Sequence, residues 1–293
     1  MKTILKKLRR LLIRSGDQPS FVPSGHFYSP IASIKELQEN KEKIYSESFS
    51  LDGIDINLDH QRQWLKEMGT FHNEFPYPTP SSTRYKIPNQ TFAPADAYSL
   101  YAFIRALRPK RIIEVGSGMS SAVMMDVNEI FFDNRIQLTF IEPFPDLLRQ
   151  VLRSEDNALN QILVKKVQDV SFETFELLEE NDILFIDSSH VSKMGSDVNY
   201  LFFHVLPKLK KGVYVHVHDI NVHFEYPWDW IAEGRTWNEA YLLRAFLMFN
   251  SAFTVQYFNS YMAHYYRKEI NECLPFMNEA DNSGGSIWMR KEA

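Results

Sequence analysis

The chain has 293 residues, enough for one large domain or for one domain with an appended region. Its hydrophobic content of 44% and charged content of 24% are those of an ordinary folded protein, and a net charge of −5 gives no general attraction to nucleic acid. Its single cysteine, Cys273, excludes an intrachain disulfide and a cysteine-based metal cluster. No apolar stretch approaches the roughly 20 residues that a membrane span needs, so we expect a cytoplasmic protein.

The first fourteen residues differ from the rest of the chain in charge. They carry six cationic side chains and no acidic one, and Ile4, Leu8 and Leu11 fall on one face of a helix. A basic amphipathic helix can lie on an anionic membrane surface, so one interpretation is peripheral contact with the inner face of the membrane. The other, which the sequence favours, is a solvated or packed N-terminal helix.

The region from residue 15 to residue 93 shows no regular alternation of strands and helices. Proline, serine and aromatic residues are frequent in it, and helical pieces are predicted near 34–44 and 58–68. We therefore predict a mainly helical and irregular N-terminal cap over 1–93 and an α/β domain over 94–293.

From residue 94 onward, helical and strand patterns alternate. Strands are predicted at 111–115, 136–141, 162–167, 182–186, 212–217, 253–258 and 286–290. Helices are predicted at 94–107, 120–130, 146–152, 172–179, 197–209 and 237–249. This alternation predicts βαβ units in a doubly wound, mostly parallel sheet of seven strands. The last strand follows a loop instead of a helix, so it can pair antiparallel.

A glycine turn follows the first predicted strand, in the sequence Arg-Ile-Ile-Glu-Val-Gly-Ser-Gly over 111–118. Gly116 and Gly118 have no side chain, so a ligand can approach the main chain closely at this turn. The third glycine of a dinucleotide-binding fingerprint would fall at Ser121. The turn predicts a nucleotide-like ligand without deciding between NAD and other cofactors.

The predicted carboxyl ends of the first five strands all carry polar or acidic residues. These are Glu114, Glu142, Gln168 with Asp169, Asp187, and His218 with Asp219. Open α/β sheets bind their ligands at this edge, and five such ends are improbable as a structural accident. Glu142 ends the second strand, where a carboxylate can accept hydrogen bonds from ribose hydroxyls.

The order acid-x-Gly-x-Gly, the acid that ends the second strand and the seven-stranded pattern resemble class I methyltransferases that use S-adenosylmethionine (SAM). The resemblance implies that the turn binds SAM and that Glu114 lies near the amino acid end of the cofactor. The cofactor-binding residues that it implies are Glu114, Gly116, Ser117, Gly118, Ser120, Glu142, Gln168, Asp169 and Asp187.

The segments Phe-Ile-Asp187-Ser-Ser-His190 and His218-Asp219 resemble metal-dependent O-methyltransferases of the catechol, macrocin and cephalosporin types. The resemblance implies a divalent cation, magnesium or another, held by Asp187, His218 and Asp219. His218 replaces an acid of those families, which favours a softer ion or no metal. His190 can act as a general base, cap a helix or bond Asp187. The predicted catalytic set is Asp187, His190, His218 and Asp219, and a purely structural polar cluster stays open as the alternative.

An aromatic and charged block over 224–230 and 234–239 is predicted to shape an acceptor pocket, together with the segment 258–264 and with His26 and Tyr28 of the cap. The predicted reaction is methyl transfer from SAM to an oxygen, less favourably a nitrogen, of a small polar acceptor such as a sugar or a glycoconjugate precursor. One alternative is an NAD-dependent or hydroxylase-like enzyme on the same sheet. The other is a non-catalytic, membrane-associated binding protein. A homo-oligomer is compatible with either.

Overall fold

The computed structural model describes residues 20–46, 50–77, 82–89, 91–275 and 284–293. The basic segment 1–14 lies outside these residues, so its helix and its membrane contact stay predictions. Among the described residues, none of the helices combines the length and apolarity that a membrane crossing requires.

The described part of the chain contains helices and the strands of one sheet. The helices are α1 Ile34–Glu39, α2 Lys41–Ile44, α3 Leu58–Thr70, α4 Pro94–Leu107, α5 Met119–Phe132, α6 Asp146–Val151, α7 Asp156–Leu159, α8 Glu173–Glu176, α9 Asp197–Tyr200, α10 Trp228–Ala232, α11 Glu239–Leu247, α12 Asn259–Tyr265 and α13 Arg267–Cys273. The strands are β1 Arg111–Val115, β2 Gln137–Ile141, β3 Gln161–Leu163, β4 Ile183–Ile186, β5 Tyr214–His218, β6 Phe253–Phe258 and β7 Ser286–Lys291.

The seven strands form one sheet in the order β3-β2-β1-β4-β5-β7-β6. Strands β1 to β5 pair in parallel, and β7 runs antiparallel to both of its neighbours, β5 and β6. The predicted α/β fold, a doubly wound, seven-stranded and mostly parallel sheet, is therefore confirmed. Val115 is opposite Ile141 of β2 and Ile186 of β4, so the residues that follow these three strands come to one edge.

Local sequence explains the ends of α4. Pro94 is its first residue, where the missing N–H costs no helical hydrogen bond and the fixed φ suits the helix. Arg108 ends it in the left-handed conformation at φ 50°, directly before Pro109. The helix leads straight into β1, so it helps to place the glycine turn.

Several predicted elements were wrong in length or continuity. The third strand ends at Leu163, and Gln168 and Asp169 lie in a separate 3-10 turn. The predicted helix over 197–209 is α9 followed by a π-helical turn and a 3-10 turn, which contains Pro207. A proline inside a helix removes a backbone donor and crowds the preceding turn, which accounts for the break. The predicted helix over 172–179 is confined to α8.

The chain divides into two compact units. Of the described residues, the smaller unit contains 20–46 and 228–236, and the larger unit contains the rest. In the smaller unit the Lys41 ammonium lies 4.8 Å from the ring centroid of Trp228. The predicted division into a cap over 1–93 and a methyltransferase domain over 94–293 stays a prediction.

Within the larger unit, three stacked aromatic rings join two helices to the sheet. Phe103 in α4 lies 4.1 Å from Trp64 in α3 and 4.1 Å from Trp288 in β7, measured between ring centroids. All three rings are buried. Gln61 in α3 also accepts a 2.9 Å hydrogen bond from the Phe258 backbone N–H at the end of β6. Helix α3 is therefore anchored on the sheet, next to the strands of its antiparallel half.

A buried ion cluster holds the segment that precedes α4. The Arg84 guanidinium is 2.6 Å from Asp156, 3.0 Å from Asp126 and 2.7 Å from Glu129. Asp126 also accepts hydrogen bonds from the backbone N–H groups of Arg84 and Tyr85. Because each charge has several partners, the cluster fixes this segment on α5 and α7.

We expect Arg84→Met to lower the free energy of unfolding by about 3–5 kcal/mol, because it leaves Asp126 and Asp156 buried without their cation. Urea denaturation measures this loss. Arg135→Met is the matched control: the ion pair of Arg135 with Asp133 is 70% and 87% exposed, and its loss should cost less than about 1 kcal/mol. Equal losses in the two variants would show that the Arg84 cluster contributes no more than a surface pair.

Candidate active site

The glycine turn and the end of β4 meet at the carboxyl edge of the sheet. The Gly116 N–H donates to the Ile141 carbonyl at 3.0 Å, and the Asp187 N–H donates to the Val115 carbonyl at 2.9 Å. Gly116 has φ +82°, and a Cβ at this position would lie 1.7 Å from the Asp187 carbonyl oxygen. Only glycine therefore permits this approach of the turn to β4.

Two neighbouring cavities open at this edge. The larger has a volume of about 440 Å³ and the smaller about 140 Å³, and Gly116, Glu142 and Asp187 line both. The predicted cofactor residues that line only one of them are Gln168 in the larger and Ser117, Gly118 and Ser120 in the smaller. The structure thus brings seven of the predicted residues to one composite cavity of the size that small ligands and cofactors occupy.

Glu142 is held by backbone donors on both sides. One carboxylate oxygen accepts from the Ser117 N–H at 3.1 Å, and the other accepts from the Phe144 N–H at 2.7 Å. These bonds fix the carboxylate between the glycine turn and the loop after β2. It faces both cavities with lone pairs to spare, since each ionised oxygen can accept more than one hydrogen bond.

The Glu114 side chain contacts the start of α5. It is fully buried and accepts hydrogen bonds from the hydroxyls of Ser120, at 2.5 Å, and Ser121. The Ser121 hydroxyl also accepts from the Gly118 N–H at 3.0 Å. Glu114 lines neither cavity; it holds the turn and the first residues of α5 together. Its contact with a cofactor stays a prediction.

Gln168 and Asp169 lie in the same 3-10 turn, but they differ in their position relative to the cavities. The Gln168 amide donates to the Gly195 carbonyl at 2.8 Å, and the same side chain lines the larger cavity. Its carbonyl oxygen is buried and accepts no hydrogen bond within the described residues. Asp169 is not among the residues that line the two cavities. The structure therefore places Gln168, but not Asp169, where a ligand can reach it.

Beside the cavities, Asp187, His218 and Asp219 form a cluster. One side-chain donor atom from each lies within 4.8 Å of the other two. His190 lies between the two acids: its Nε2 is 3.3 Å from Asp187 Oδ1 and 3.4 Å from Asp219 Oδ2. The structure therefore brings together all four residues of the predicted catalytic set. Asp187 and Asp219 keep 26% and 20% of their side-chain surface exposed, whereas the two histidines are almost fully buried.

A fifth ionisable group belongs to this cluster, although the sequence analysis assigned it to the aromatic and charged block instead. Glu239, the first residue of α11, is fully buried, and its carboxylate is 2.9 Å from His190 Nδ1. It lies 49 residues beyond His190 and belongs to no recognisable motif. The one available signal was its position at the start of a helix, where an acid also suits the helix dipole.

The electrostatics of the cluster favour charged histidines. Burial opposes protonation of His190, but hydrogen bonds to Asp187 and Glu239 outweigh it and raise its pKa well above the ordinary value. Burial likewise opposes protonation of His218, but the charges of Asp187 and Asp219 raise its pKa. Burial raises the pKa of Asp219, whereas the pKa of Asp187 is lowered because His218 and His190 outweigh its burial.

His216 orients the ring of His218. Its Nε2 is 3.3 Å from His218 Nδ1, and its ring stacks on Phe185 with centroids 3.8 Å apart. Burial lowers the pKa of His216 well below the ordinary value, so this ring is neutral. The lone pair of its Nε2 can accept a hydrogen bond from His218 Nδ1–H, which leaves His218 Nε2 on the side of Asp219, at 3.7 Å.

The predicted acceptor block is divided between the two compact units. In the larger unit, Phe224 and Tyr226 are buried, and the Tyr226 hydroxyl accepts from the Ala240 N–H at 3.0 Å. Residues 228–236, like His26 and Tyr28, belong to the smaller unit. A common acceptor pocket stays a prediction.

The strand order, the glycine turn and the acids at the strand ends define the α/β fold of class I methyltransferases. A family model of the methyltransferase domain matches residues 113–220, from the middle of β1 to just past Asp219. A protein of Archaeoglobus fulgidus, described as uncharacterized, is 39% identical over 193 residues, which cover 62% of this chain and 86% of that protein.

Solved structures of two methyltransferases are also similar. The O-methyltransferase TomG of Streptomyces achromogenes, in complex with SAM, is 15% identical, with a TM-score of 0.44 and coverage of 79% of this chain and 90% of that chain. The Podospora anserina methyltransferase PaMTH1, bound to S-adenosylhomocysteine (SAH), is 13% identical, with a TM-score of 0.43 and coverage of 94% and 100%. The match to residues 113–220 shows a methyltransferase domain in this part of the chain.

We expect Gly116→Ala to destabilise the protein more than Gly195→Ala does. Both glycines have positive φ, at +82° and +73°, so both variants acquire the backbone strain of about 1–2 kcal/mol. A Cβ on Gly116 would clash with the Asp187 carbonyl oxygen, whereas a Cβ on Gly195 meets nothing within 4 Å. Urea denaturation should show at least about 2 kcal/mol of additional loss for Gly116→Ala. Similar losses for the two variants would contradict the close approach to β4.

Glu114 should make stability depend on pH. Burial raises the pKa of Glu114 to about 8, against the lowering effect of the serine hydroxyls. The folded protein then holds a proton that the unfolded chain releases above pH 4.5, so stability falls as pH rises between about 4.5 and 8. One proton contributes at most about 1.4 kcal/mol per pH unit. Glu114→Gln should remove this slope in denaturation measured from pH 5 to pH 8; an identical slope in both proteins would contradict the buried, protonated carboxyl.

Proposed function

We propose that this protein transfers the methyl group of SAM to a hydroxyl oxygen of a small polar acceptor. The observation that carries the proposal is the position of Asp187, which lines both cavities and belongs to the cluster with His218 and Asp219. A ligand in the cavities would thus end beside a group of carboxylates and imidazoles. The match of residues 113–220 to the methyltransferase domain supports SAM as the cofactor, whose sulfonium would provide an electrophilic methyl group when bound.

The cofactor half of the site is built from backbone and carboxylate. The glycine turn presents main chain to the ligand, and Glu142 offers acceptor oxygens to the ribose hydroxyls. Gln168, with a free carbonyl oxygen inside the protein, is suited to an amino group of the adenine ring. The place of the third glycine of an NAD fingerprint is taken by Ser121, whose hydroxyl is engaged by Glu114 and Gly118. This favours SAM over NAD.

The chemistry on the acceptor side is positioning and removal of one proton. As the bond from sulfur to the methyl group breaks and the bond from methyl to oxygen forms, the acceptor hydroxyl loses its proton. We assign this proton to the Asp219 carboxylate, because Asp219 is partly exposed and burial raises its pKa. His190 is less suited to be the base, because both of its ring nitrogens already face carboxylates.

The donor atoms of Asp187, His218 and Asp219 are close enough together to hold a divalent cation. Such an ion, when bound, lowers the pKa of an acceptor hydroxyl and orients it. One imidazole with two carboxylates favours manganese or zinc more than an all-carboxylate set does. A sugar or a glycoconjugate precursor as acceptor remains part of this proposal, on analogy with the families that the site segments resemble.

Calorimetric titration tests the cofactor half. We expect SAM and SAH to bind and NAD not to bind. Glu142→Gln should weaken SAH binding about tenfold or more, the usual loss for hydrogen bonds to a charged group. Asp146→Asn is the control, because the Asp146 side chain is 88% exposed on the neighbouring helix α6 and should change the affinity less than twofold. If SAM fails to bind at millimolar concentration, the proposed function is wrong.

A further inference from the structure

We propose that Glu239 is a positioning residue: through the His190 ring it holds Asp187 and Asp219 in the arrangement that the proposed methyl transfer needs. This proposal rests on the proposed function, because the positioning serves the methyl transfer. The contacts themselves are features of the fold. Glu239 lines neither cavity, and its hydrogen bond to His190 connects it to the two acids.

The His190 ring is bound on both of its nitrogens by carboxylates. Glu239 accepts at Nδ1 at 2.9 Å, while Asp187 and Asp219 lie at 3.3 Å and 3.4 Å from Nε2. The two shared distances at Nε2 are nearly equal, so the ring is centred between the two acids. A ring that rotated about its Cβ bond would lose these contacts together, because the two nitrogens are fixed on one rigid plane.

Backbone hydrogen bonds also couple His190 to the start of α11. The His190 carbonyl accepts from the N–H groups of Asn238 at 3.0 Å and Glu239 at 3.1 Å. The Trp237 ring packs against the imidazole, with centroids 4.4 Å apart. His190 adopts a left-handed backbone conformation at φ 58°, which is uncommon for a residue with a side chain. The start of α11 therefore sets both the backbone and the ring of His190.

The burial of Glu239 needs an explanation beyond packing. Its side chain is fully buried, and its second carboxylate oxygen accepts no hydrogen bond within the described residues. Burying a carboxylate with one oxygen unsatisfied is costly, and an apolar residue would fill the space at less cost. The retained carboxylate has one charged partner, His190, and that partner reaches the two acids of the site. An orienting group of this kind is the usual support of a metal or catalytic carboxylate.

A double-mutant cycle tests the coupling without cofactor, cation or acceptor. Glu239→Gln keeps the shape of the side chain and removes the charge, and Asp187→Asn does the same at the acid. Because the two residues communicate through His190, the unfolding equilibrium constant of the double variant should differ at least about threefold from the product of the single effects. Asn238→Ala with Asp187→Asn is the matched control: Asn238 holds Ser192 of the same loop at 2.6 Å but not the His190 ring, so this pair should be additive.

A second readout follows the ring proton and the cation site. In the wild-type protein, nuclear magnetic resonance should detect a slowly exchanging His190 Nδ1 proton. Glu239→Ala should abolish this signal and weaken Mn²⁺ binding, titrated with the metal alone, about tenfold or more. Asn238→Ala should retain the Nδ1 proton signal and should change the Mn²⁺ affinity less than about threefold. Glu239→Asp, which moves the carboxylate back by one methylene, replaces the other Glu239 variants if they fail to fold.

The outcomes separate the two proposals. Additive effects of Glu239→Gln and Asp187→Asn, or a Mn²⁺ affinity unchanged in Glu239→Ala while wild type binds the ion, would overturn the positioning role. If wild type binds neither SAM nor Mn²⁺ but the cycle shows coupling, the proposed function fails and the role of Glu239 in holding the acids stands.

Discussion

The approach of Gly116 to the Asp187 carbonyl is the contact on which the site depends. It brings the turn after β1 against the end of β4 with no room for a side chain, and backbone hydrogen bonds on both sides fix the distance. A larger residue would have to separate the two strand ends. Such a separation would also change the shape of both cavities, because both are lined by this pair of residues together with Glu142. The two halves of the proposed site thus share one backbone constraint.

The charges around this contact are arranged in two layers. The outer layer, Asp187 and Asp219, retains some exposure and can meet a substrate. The inner layer, His190 and Glu239, is buried and meets only the protein. Such an arrangement keeps the two aspartates accessible while their orientation is determined where water does not compete. The histidines balance part of the negative charge that three neighbouring carboxylates would otherwise concentrate.

Much of this edge could be predicted because neighbouring parallel strands end at the same edge of the sheet. Once β1, β4 and β5 are assigned, the residues that follow them must lie side by side, so the meeting of Asp187, His218 and Asp219 follows from strand order. Side-chain direction could not be predicted in the same way. Glu114 lies within β1 and turns towards the serines of α5, away from the cavities, and that depends on packing between strand and helix.

The residues that the sequence analysis missed or misplaced share a physical reason. Glu239 reaches His190 through tertiary packing of α11, at a separation at which no spacing rule applies. Gln168 and Asp169 were assigned to a strand end, but β3 stops at Leu163, and a 3-10 turn then sends only one of the two side chains into the cavity. Turns of this kind are determined by few local interactions, so their direction is weakly encoded.

The position of β7 between β5 and β6 determines which part of the sheet can be completed last. β7 follows β6 in the chain but lies between β5 and β6 in the sheet, and its first residue, Ser286, pairs with His218. β5 and β6 therefore have no partner on their facing edges until β7 arrives. The cavities beside β1, β2 and β4 can be formed from earlier sequence, whereas the strand that carries His218 gains its second neighbour last. During synthesis the protein should thus form the proposed cofactor cleft before it completes the strand pairing beside His218.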